Sequence, residues 1–144
     1  MYLGADLVSE TVLKIKNKDV ATQKQKDIEE KIAPKLFPEN CKVNWNNSID
    51  NIYNHIRGLN PFPAAWSEMN NKGSVTSLKI YKVRKEIIAH KDQIKTIITT
   101  KKDIKVAVKG GYIYIEELKV SGKKKMDSKS LLNGFHFYSN AKML

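Results

Sequence analysis

The sequence predicts a mainly β fold, a small barrel of five to six strands with one or two short helices, preceded by an isolated helix and a linker. Three observations lead to this prediction. Apolar and polar residues alternate from Ala64 onward, as they do in half-buried strands. Two turn signals, Asn70-Asn71-Lys72-Gly73 and Gly110-Gly111, interrupt the alternation. A length of 144 residues suffices for one domain with a real core but hardly for two.

The chain opens with an amphipathic helix, predicted over residues 3–15 and assigned to residues 1–16. Its apolar side chains share one stripe: Leu3, Leu7, Val8, Val12 and Ile15. An apolar stripe needs a cover, so we hypothesise that two chains pair through it. Residues 17–39 are predicted to be a linker, because residues 17–34 lose periodicity, are rich in Lys, Gln and Glu, and stop at Pro34.

The domain proper is assigned to residues 40–144 and begins with a helix at about residues 47–57. Ile49, Ile52 and Ile56 recur at helical spacing, and one of the polar residues 46–48 can cap the first turn. Gly58 is predicted to end this helix as a left-handed cap.

Strands and a last short helix follow. Strands are predicted at about residues 64–69, 77–89, 94–99, 104–109 and 112–118, and a helix at residues 128–133. Five short strands with one helix favour a closed or partly open barrel similar to the OB-fold.

No catalytic or metal-binding pattern is found. The histidines lie 35 or more positions apart, at His55, His90 and His136, and Cys41 is the single cysteine. Glu116 and Glu117 are adjacent in a strand, so we expect them on opposite faces rather than as a catalytic pair. The sequence also has no apolar run of ~20 residues and no secretory signal, so we expect a cytoplasmic protein without metal or membrane partners.

Of the composition figures, the net charge says most about the function of the chain. The chain has 26 Lys and Arg against 15 Asp and Glu, a net charge of +11. Residues 1–78 hold 10 basic and 9 acidic groups, whereas residues 79–125 hold 14 basic and 5 acidic groups. A positive charge concentrated in one segment indicates a polyanionic partner.

The basic segment supplies the candidate RNA-binding residues. They are Lys79, Lys82, Arg84 and Lys85 in one strand, Lys101, Lys102 and Lys105 around the next hairpin, and Lys123, Lys124 and Lys125 in a later loop. Tyr81, Tyr112 and Tyr114 lie among them and could stack on unpaired bases. A Lys-rich strand face that merely keeps the sheet soluble is the alternative interpretation.

Several motifs occur in the order and spacing found in the second half of methionyl-tRNA formyltransferases, which the chain resembles over about 130 residues. They are Leu3-Gly4-Ala5-Asp6-Leu7-Val8, Ala33-Pro34-Lys35-Leu36, Trp45, Ile56-Arg57-Gly58-Leu59-Asn60-Pro61-Phe62-Pro63, Leu78-Lys79-Ile80-Tyr81, Gly122-Lys123-Lys124-Lys125-Met126 and Leu131-Leu132-Asn133-Gly134.

The resemblance implies that catalysis and tRNA binding reside in different domains of the enzyme. In that family a preceding α/β domain binds 10-formyltetrahydrofolate and holds an active-site Asn, His and Asp, while an OB-like barrel helps to hold the initiator methionyl-tRNA. Residues 1–16 resemble the last helix of the α/β domain, so the catalytic trio would lie before Met1. We therefore expect a formyltransferase parent enzyme, no catalytic residue in this chain, and no catalysis by this chain alone.

Lys35 and Lys123 to Lys125 match basic positions of the family and are the first candidates for phosphate contact. Arg57 matches a family arginine at a helix end, where it either contacts RNA or binds carbonyls of its own helix. One departure concerns Ile94-Lys95, where the family usually has Pro-Gly before a strand. Two alternatives stay open: the domain of a related formyltransferase acting on a sugar nucleotide or on folate, and an independent OB-type module that binds single-stranded nucleic acid.

Overall fold

The computed structural model describes residues 2–24 and 33–144, which fall into two compact units, residues 1–34 and 35–144. In the first unit, α1 spans Tyr2–Lys16, which confirms the predicted first helix. Its apolar stripe is more than half exposed. The predicted linker falls partly on residues 25–32, which lie outside the described residues. Residues 17–24 and 33–37 contain no helix or strand.

The second unit, described in full, holds the barrel. Its helical segments are a 3₁₀ helix (Pro38–Cys41), α2 (Ile49–Leu59) and α3 (Ser128–Leu132). Its strands are β1 (Ala65–Asn71), β2 (Ser74–Ile87), β3 (Ile97–Thr99), β4 (Ile104–Val108), β5 (Gly111–Val120), β6 (Met126–Asp127) and β7 (Lys142–Met143). The mainly β fold class is therefore confirmed.

All seven strands belong to one antiparallel sheet in the order β3-β4-β5-β2-β1-β7, with β6 paired to β5. The two ends of this order meet. The amide of Ile97 donates to the carbonyl of Ala141 at 2.9 Å, and the amide of Met143 donates to the carbonyl of Lys95 at 2.9 Å. These bonds nearly close the sheet into a barrel, which removes most of its free edge.

The core lies between the inner face of the barrel and α2. Ile52 and Ile56 of α2 pack with the inward side chains of β2, β4 and β5, all at most a few per cent exposed. The first turn of α2 is capped by Ser48, whose hydroxyl accepts a hydrogen bond from the amide of Asn51 at 3.4 Å. Trp45 is buried, and its indole N–H donates to the hydroxyl of Ser67 at 2.8 Å, so its polar atom is satisfied.

Two local predictions from the sequence are wrong. Gly58 does not end α2: it is helical, its φ is not positive, and the helix continues to Leu59. The strand predicted from residue 94 begins only at Ile97, because Lys95 has a φ of 77°, which takes the chain through the left-handed region. The resemblance implies glycine at this position, and the chain adopts a left-handed conformation here although the residue is lysine. The short strands β6 and β7 gave no signal in the sequence.

An irregularity in the β2–β5 pair changes which side chains share a face. The register shifts between Ile80 and Lys82 and again between Lys82 and Val83. Ile115 and Leu118 of β5 are both in the core although an odd number of positions separates them, so strict alternation fails between them. The prediction that Glu116 and Glu117 point to opposite faces is therefore wrong, because both lie between inward-facing neighbours and both contact cations of the outer surface.

Candidate nucleic-acid interface

The outer surface of β2, β5 and β4 carries alternating cations and aromatic rings. Arg84 of β2 lies opposite Tyr114 of β5, which in turn lies opposite Lys105 of β4. The guanidinium carbon of Arg84 is 3.5 Å from the centroid of the Tyr114 ring, and the ammonium of Lys105 is 3.7 Å from the centroid of the Tyr112 ring. We call these four residues, Arg84, Lys105, Tyr112 and Tyr114, the stacked patch. Cation–π contact fixes the patch in one geometry.

Carboxylates hold the two tyrosines of the stacked patch. The hydroxyl of Tyr114 donates to Glu86 at 2.8 Å, and the hydroxyl of Tyr112 donates to Asp92. The hydrogen bond to Asp92, helped by desolvation, raises the pKa of Tyr112 to about 12, and the bond to Glu86 raises the pKa of Tyr114. Both hydroxyls therefore stay protonated at neutral pH and keep their rings in place.

Several of the predicted RNA-binding cations are paired with carboxylates. Lys82 lies 3.2 Å from Glu116, and Lys125 lies 2.7 Å from Glu117 while its ammonium also sits 4.6 Å from the Tyr81 ring centroid. Arg84 lies 3.6 Å from Asp103. Paired in this way, these groups present less net positive charge to a partner than the sequence count indicates.

Lys85 does not share the outer surface with Arg84. It follows Arg84 in a regular part of β2, so its side chain points to the other face, where it pairs with Asp50 of α2 and lies 5.2 Å from the Tyr53 ring centroid. The expectation that the four cations predicted in this strand contribute to one surface therefore fails for Lys85, because strand alternation separates neighbours.

The end of the β2–β5 pair away from the stacked patch gathers cations without carboxylate partners. Lys79 of β2 lies directly opposite Lys119 of β5. The turn after β5 is fixed by a hydrogen bond from the amide of Ser121 to the carbonyl of Ser77 at 2.9 Å, and it exposes Lys123 and Lys124. We call Lys79, Lys119, Lys123 and Lys124 the lysine cluster. Within the described ranges 2–24 and 33–144, no carboxylate oxygen lies within 4.0 Å of their ammonium groups.

Lys119 is the member of the lysine cluster that the sequence did not single out. Its only signal is strand pairing, because Lys119 becomes important when β5 aligns it with Lys79. A hollow of about 300 Å³ lies between them, lined also by Ser77, Tyr81 and Gly122. The lining combines two cations with hydroxyl groups, which are the groups that bind phosphate oxygens.

The other predicted RNA-binding residues are dispersed. Lys101 and Lys102 are exposed in the β3–β4 turn, next to Asp103, which contacts Arg84. Lys35 is exposed near the start of the second unit. Arg57 lies in the last turn of α2, where its guanidinium donates to the side-chain oxygen of Asn54 at 3.4 Å. This contact stays within the helix.

His90 makes structural contacts. His90 stacks on Tyr112 with ring centroids 4.5 Å apart, and its Nε2 donates to the carbonyls of Val108 and Gly111 at 2.9 and 3.0 Å. Since both partners are carbonyl oxygens, the proton resides on Nε2. Across the described parts of the chain, no three His, Cys, Asp or Glu side chains form a group suited to a metal ion. No helix among these residues has the length and apolar character to cross a membrane.

Comparison with known proteins places this barrel in a family. The protein-family model described as "Formyl transferase, C-terminal domain" matches residues 35–136 of the sequence. The chain is 44% identical over 138 residues to a methionyl-tRNA formyltransferase from Flavobacterium psychrophilum, covering 95% of this chain and 44% of that protein. It is 42% identical over 144 residues to one from Flavobacterium johnsoniae, covering 99% and 46% respectively. The chain thus spans a little less than half the length of these relatives.

Solved structures support the fold. Crystal structures of two HypX variants from Aquifex aeolicus superpose with TM-scores of 0.58 and 0.60 at 16% and 17% identity. They cover 90% and 92% of this chain and 23% and 24% of the HypX chains, a likeness that concerns the fold alone. The resemblance found in the motifs of the sequence is confirmed by the family match, and the chain belongs to the formyl transferase C-terminal domain family.

Proposed function

We propose that this chain is the tRNA-binding C-terminal portion of a methionyl-tRNA formyltransferase that acts in the cytoplasm. The whole enzyme would transfer a formyl group from 10-formyltetrahydrofolate to the amino group of initiator methionyl-tRNA, a step of translation initiation. The observation that carries the proposal is the 38–44% identity to proteins of that name, which extends over 93–99% of this chain.

The lysine cluster is the main phosphate-binding surface in this proposal. Its four cations have no carboxylate within ion-pair distance among the described residues, so their charge is available to a polyanion. Each phosphate that they neutralise releases counterions from the RNA, and affinity then falls as salt rises. Contacts of this kind position the RNA without reading its sequence.

The stacked patch plays a secondary role. Lys105 has no ion pair within the described residues, whereas Arg84 contacts two carboxylates, Asp103 and Glu116. The mixture of signs around Arg84 keeps its contribution to RNA affinity small. The patch instead holds β2, β5 and β4 in register at the opposite end of the β2–β5 pair from the lysine cluster.

The chemistry of formyl transfer is assigned to the other half of the enzyme. No residue of this chain is proposed to bind the folate or to react. We therefore expect the purified chain, mixed with 10-formyltetrahydrofolate and methionyl-tRNA, to give no formyl-methionyl-tRNA. Turnover by this chain alone would contradict that division.

The proposal is tested by titrating the chain with initiator tRNA across a range of salt concentrations. We expect the triple variant Lys123→Ala, Lys124→Ala and Lys125→Ala to bind more weakly, with a slope of log affinity against log salt reduced by ~1 per lost phosphate contact. The control is the triple variant Lys91→Ala, Lys109→Ala and Lys142→Ala, which removes the same charge from exposed positions away from the lysine cluster.

Two results would count against the proposed phosphate contacts: affinity of the wild-type chain that does not depend on salt, and equal affinity losses in the two triple variants. Salt-independent affinity would mean that the chain does not bind RNA phosphates. Equal losses would mean that affinity depends on the net charge of the chain and not on the position of these lysines. Only the first would favour a domain from a formyltransferase that acts on a small substrate.

A further inference from the structure

A second hollow, mostly apolar, adjoins the lysine cluster. It has a volume of about 580 Å³ and is lined by Phe37, Phe62, Pro63 and Trp66, with Lys79 at its edge. Phe62 is 86% exposed, an unusual state for a large aromatic side chain. The volume lies within the range of small-molecule binding sites. The phosphate contacts proposed above do not involve the aromatic residues of this hollow.

Lys79 connects the apolar hollow with the lysine cluster. In the sheet, Trp66 of β1, Lys79 of β2 and Lys119 of β5 lie side by side in one row on the outer surface. The ammonium of Lys79 donates to the carbonyl of Pro63 at 3.3 Å, which holds it at the boundary. Two strand spacings, ~10 Å, separate the backbones of Trp66 and Lys119. An aromatic floor and two cations therefore lie within the reach of one small ligand.

The pairing of Lys79 with Lys119 indicates an anion. Two like charges directly opposite each other destabilise a sheet. Among the described residues, none of the carboxylates comes within 4.0 Å of either ammonium to relieve the repulsion. A phosphate bound between them would relieve it, with hydroxyl groups of the smaller hollow close by.

We propose that the Trp66–Lys79–Lys119 row binds a single unpaired nucleotide of RNA. The base packs into the apolar hollow against Phe62 and Trp66, and its phosphate lies between Lys79 and Lys119. A base in a regular duplex offers no free face for such a contact, so the row selects an unpaired position. This inference rests on the proposed tRNA binding and adds the kind of nucleotide that the chain holds.

The Trp66 ring is already oriented for this role. Its indole N–H donates to the carbonyl of Pro38 at 2.7 Å, and the ammonium of Lys42 lies 5.0 Å from its ring centroid. The ring therefore needs no rearrangement when a base arrives. Phe62, in contrast, is free to close over the base, because it has few neighbours.

The test compares labelled single-stranded RNA of ~10 nucleotides, a length in the range of one OB-fold site, with a blunt duplex of the same sequence. We expect the chain to prefer the single strand. Phe62→Ala should weaken single-strand binding about 5- to 150-fold, since stacking of a base on an aromatic ring is lost. Lys119→Gln should lower the salt slope by ~0.7, the value for one phosphate of a single strand.

Matched controls separate this site from general surface effects. Ile87→Ala removes another exposed apolar side chain at the far end of β2, and Lys109→Gln removes an exposed lysine near α2. Both should leave single-strand affinity unchanged. Since Phe62 is exposed, its replacement should also leave the thermal unfolding midpoint unchanged. Intrinsic fluorescence gives an independent readout, because a base on Trp66 should quench it.

The outcomes distinguish this inference from the proposed function. Normal affinity of Phe62→Ala and Lys119→Gln for the single strand, with tRNA binding still weakened in the Lys123 to Lys125 triple variant, would overturn only the nucleotide site. Equal affinity of the wild-type chain for duplex and single strand would also overturn it. A wild-type chain that binds neither tRNA nor single strands would remove the proposed function itself.

Discussion

Arg84 stacks on Tyr114, with the guanidinium carbon 3.5 Å from the ring centroid, and two carboxylates approach the same guanidinium. Asp103 comes from the β3–β4 turn and Glu116 from β5, so Arg84 links three parts of the sheet. A cation with this many partners in its own domain gains little from an additional phosphate. We infer that Arg84 contributes to the fold more than to RNA affinity.

The replacement Arg84→Lys tests this inference, because it keeps the charge and removes the planar stack. We expect the free energy of unfolding to fall by less than ~1 kcal/mol, because lysine keeps the charge above the Tyr114 ring but loses the planar stack and the fork that reaches both carboxylates. Affinity for tRNA should change less than twofold. Urea denaturation and a tRNA titration measure the two quantities, and a large loss of affinity with unchanged stability would contradict the assignment.

The fold class and most of the elements follow from the sequence because they depend on short-range patterns. The alternation of Ile104, Val106 and Val108 with polar or small neighbours is visible within five residues, and β4 confirms it. The helical spacing of Ile52 and Ile56 predicts α2 in the same way. Turn signals at glycine fix the connections between strands.

The arrangement of charges could not be obtained in this way, since it depends on which strands are neighbours. Lys119 gains its importance from its position opposite Lys79, forty residues away in the chain. Adjacency in the sequence groups Lys85 with Arg84, yet Lys85 pairs with Asp50 on α2. The carboxylates beside Lys82 of β2 and beside Lys125 of the loop after β5 both come from β5. A count of lysines along the sequence therefore overestimates the free positive surface.

Gly111 is the glycine whose replacement should be most harmful. Its φ is 151°, and a Cβ atom at this position would lie 1.9 Å from the carbonyl oxygen of Glu86 on the neighbouring strand. We expect Gly111→Ala to lower the free energy of unfolding by at least ~2 kcal/mol, through backbone strain and overpacking. Thermal and urea denaturation measure the loss.

The control for Gly111 is Gly58→Ala. Gly58 lies inside α2, and a Cβ there meets nothing within 4 Å. Alanine should stabilise this helix by ~0.5–1 kcal/mol, because glycine loses more backbone entropy on folding. If both variants changed stability in the same direction and to the same extent, the close approach of β5 to β2 would not explain the effect of Gly111→Ala.

Lys95 is a second position where the backbone prefers glycine. Its φ of 77° lies in the left-handed region, and its amide donates to the carbonyl of Ala107 at 2.7 Å, so the conformation is held by the sheet. We expect Lys95→Gly to raise the free energy of unfolding by up to ~1 kcal/mol, the strain of a left-handed residue minus the entropy cost of glycine. Lys91→Gly, in the preceding loop without positive φ, should not stabilise.

The raised pKa of Tyr112 predicts a loss of stability at alkaline pH. Below pH 10 the hydroxyl is protonated in both the folded and the unfolded chain. Between the ordinary pKa of 10.0 and the folded value of about 12, the unfolded chain loses this proton first, so stability falls as pH rises. The urea midpoint of the wild-type chain should drop more between pH 9 and pH 11 than that of Tyr112→Phe. If the urea midpoints of the two proteins fell equally with pH, Tyr112 would be excluded as the cause of the alkaline loss of stability.

The apolar stripe of α1 predicts self-association of the isolated chain. Leu7 and Val12 are 54% and 57% exposed, and Leu3, Val8 and Ile15 of the same helix are exposed as well. Exposure of such apolar side chains to water is unfavourable, and packing two copies together buries them. Sedimentation equilibrium should therefore show dimers of the wild-type chain. The double variant Leu7→Asn and Val12→Asn should sediment as a monomer and bind tRNA with unchanged intrinsic affinity. A wild-type chain that stays monomeric at high concentration would reject pairing through α1.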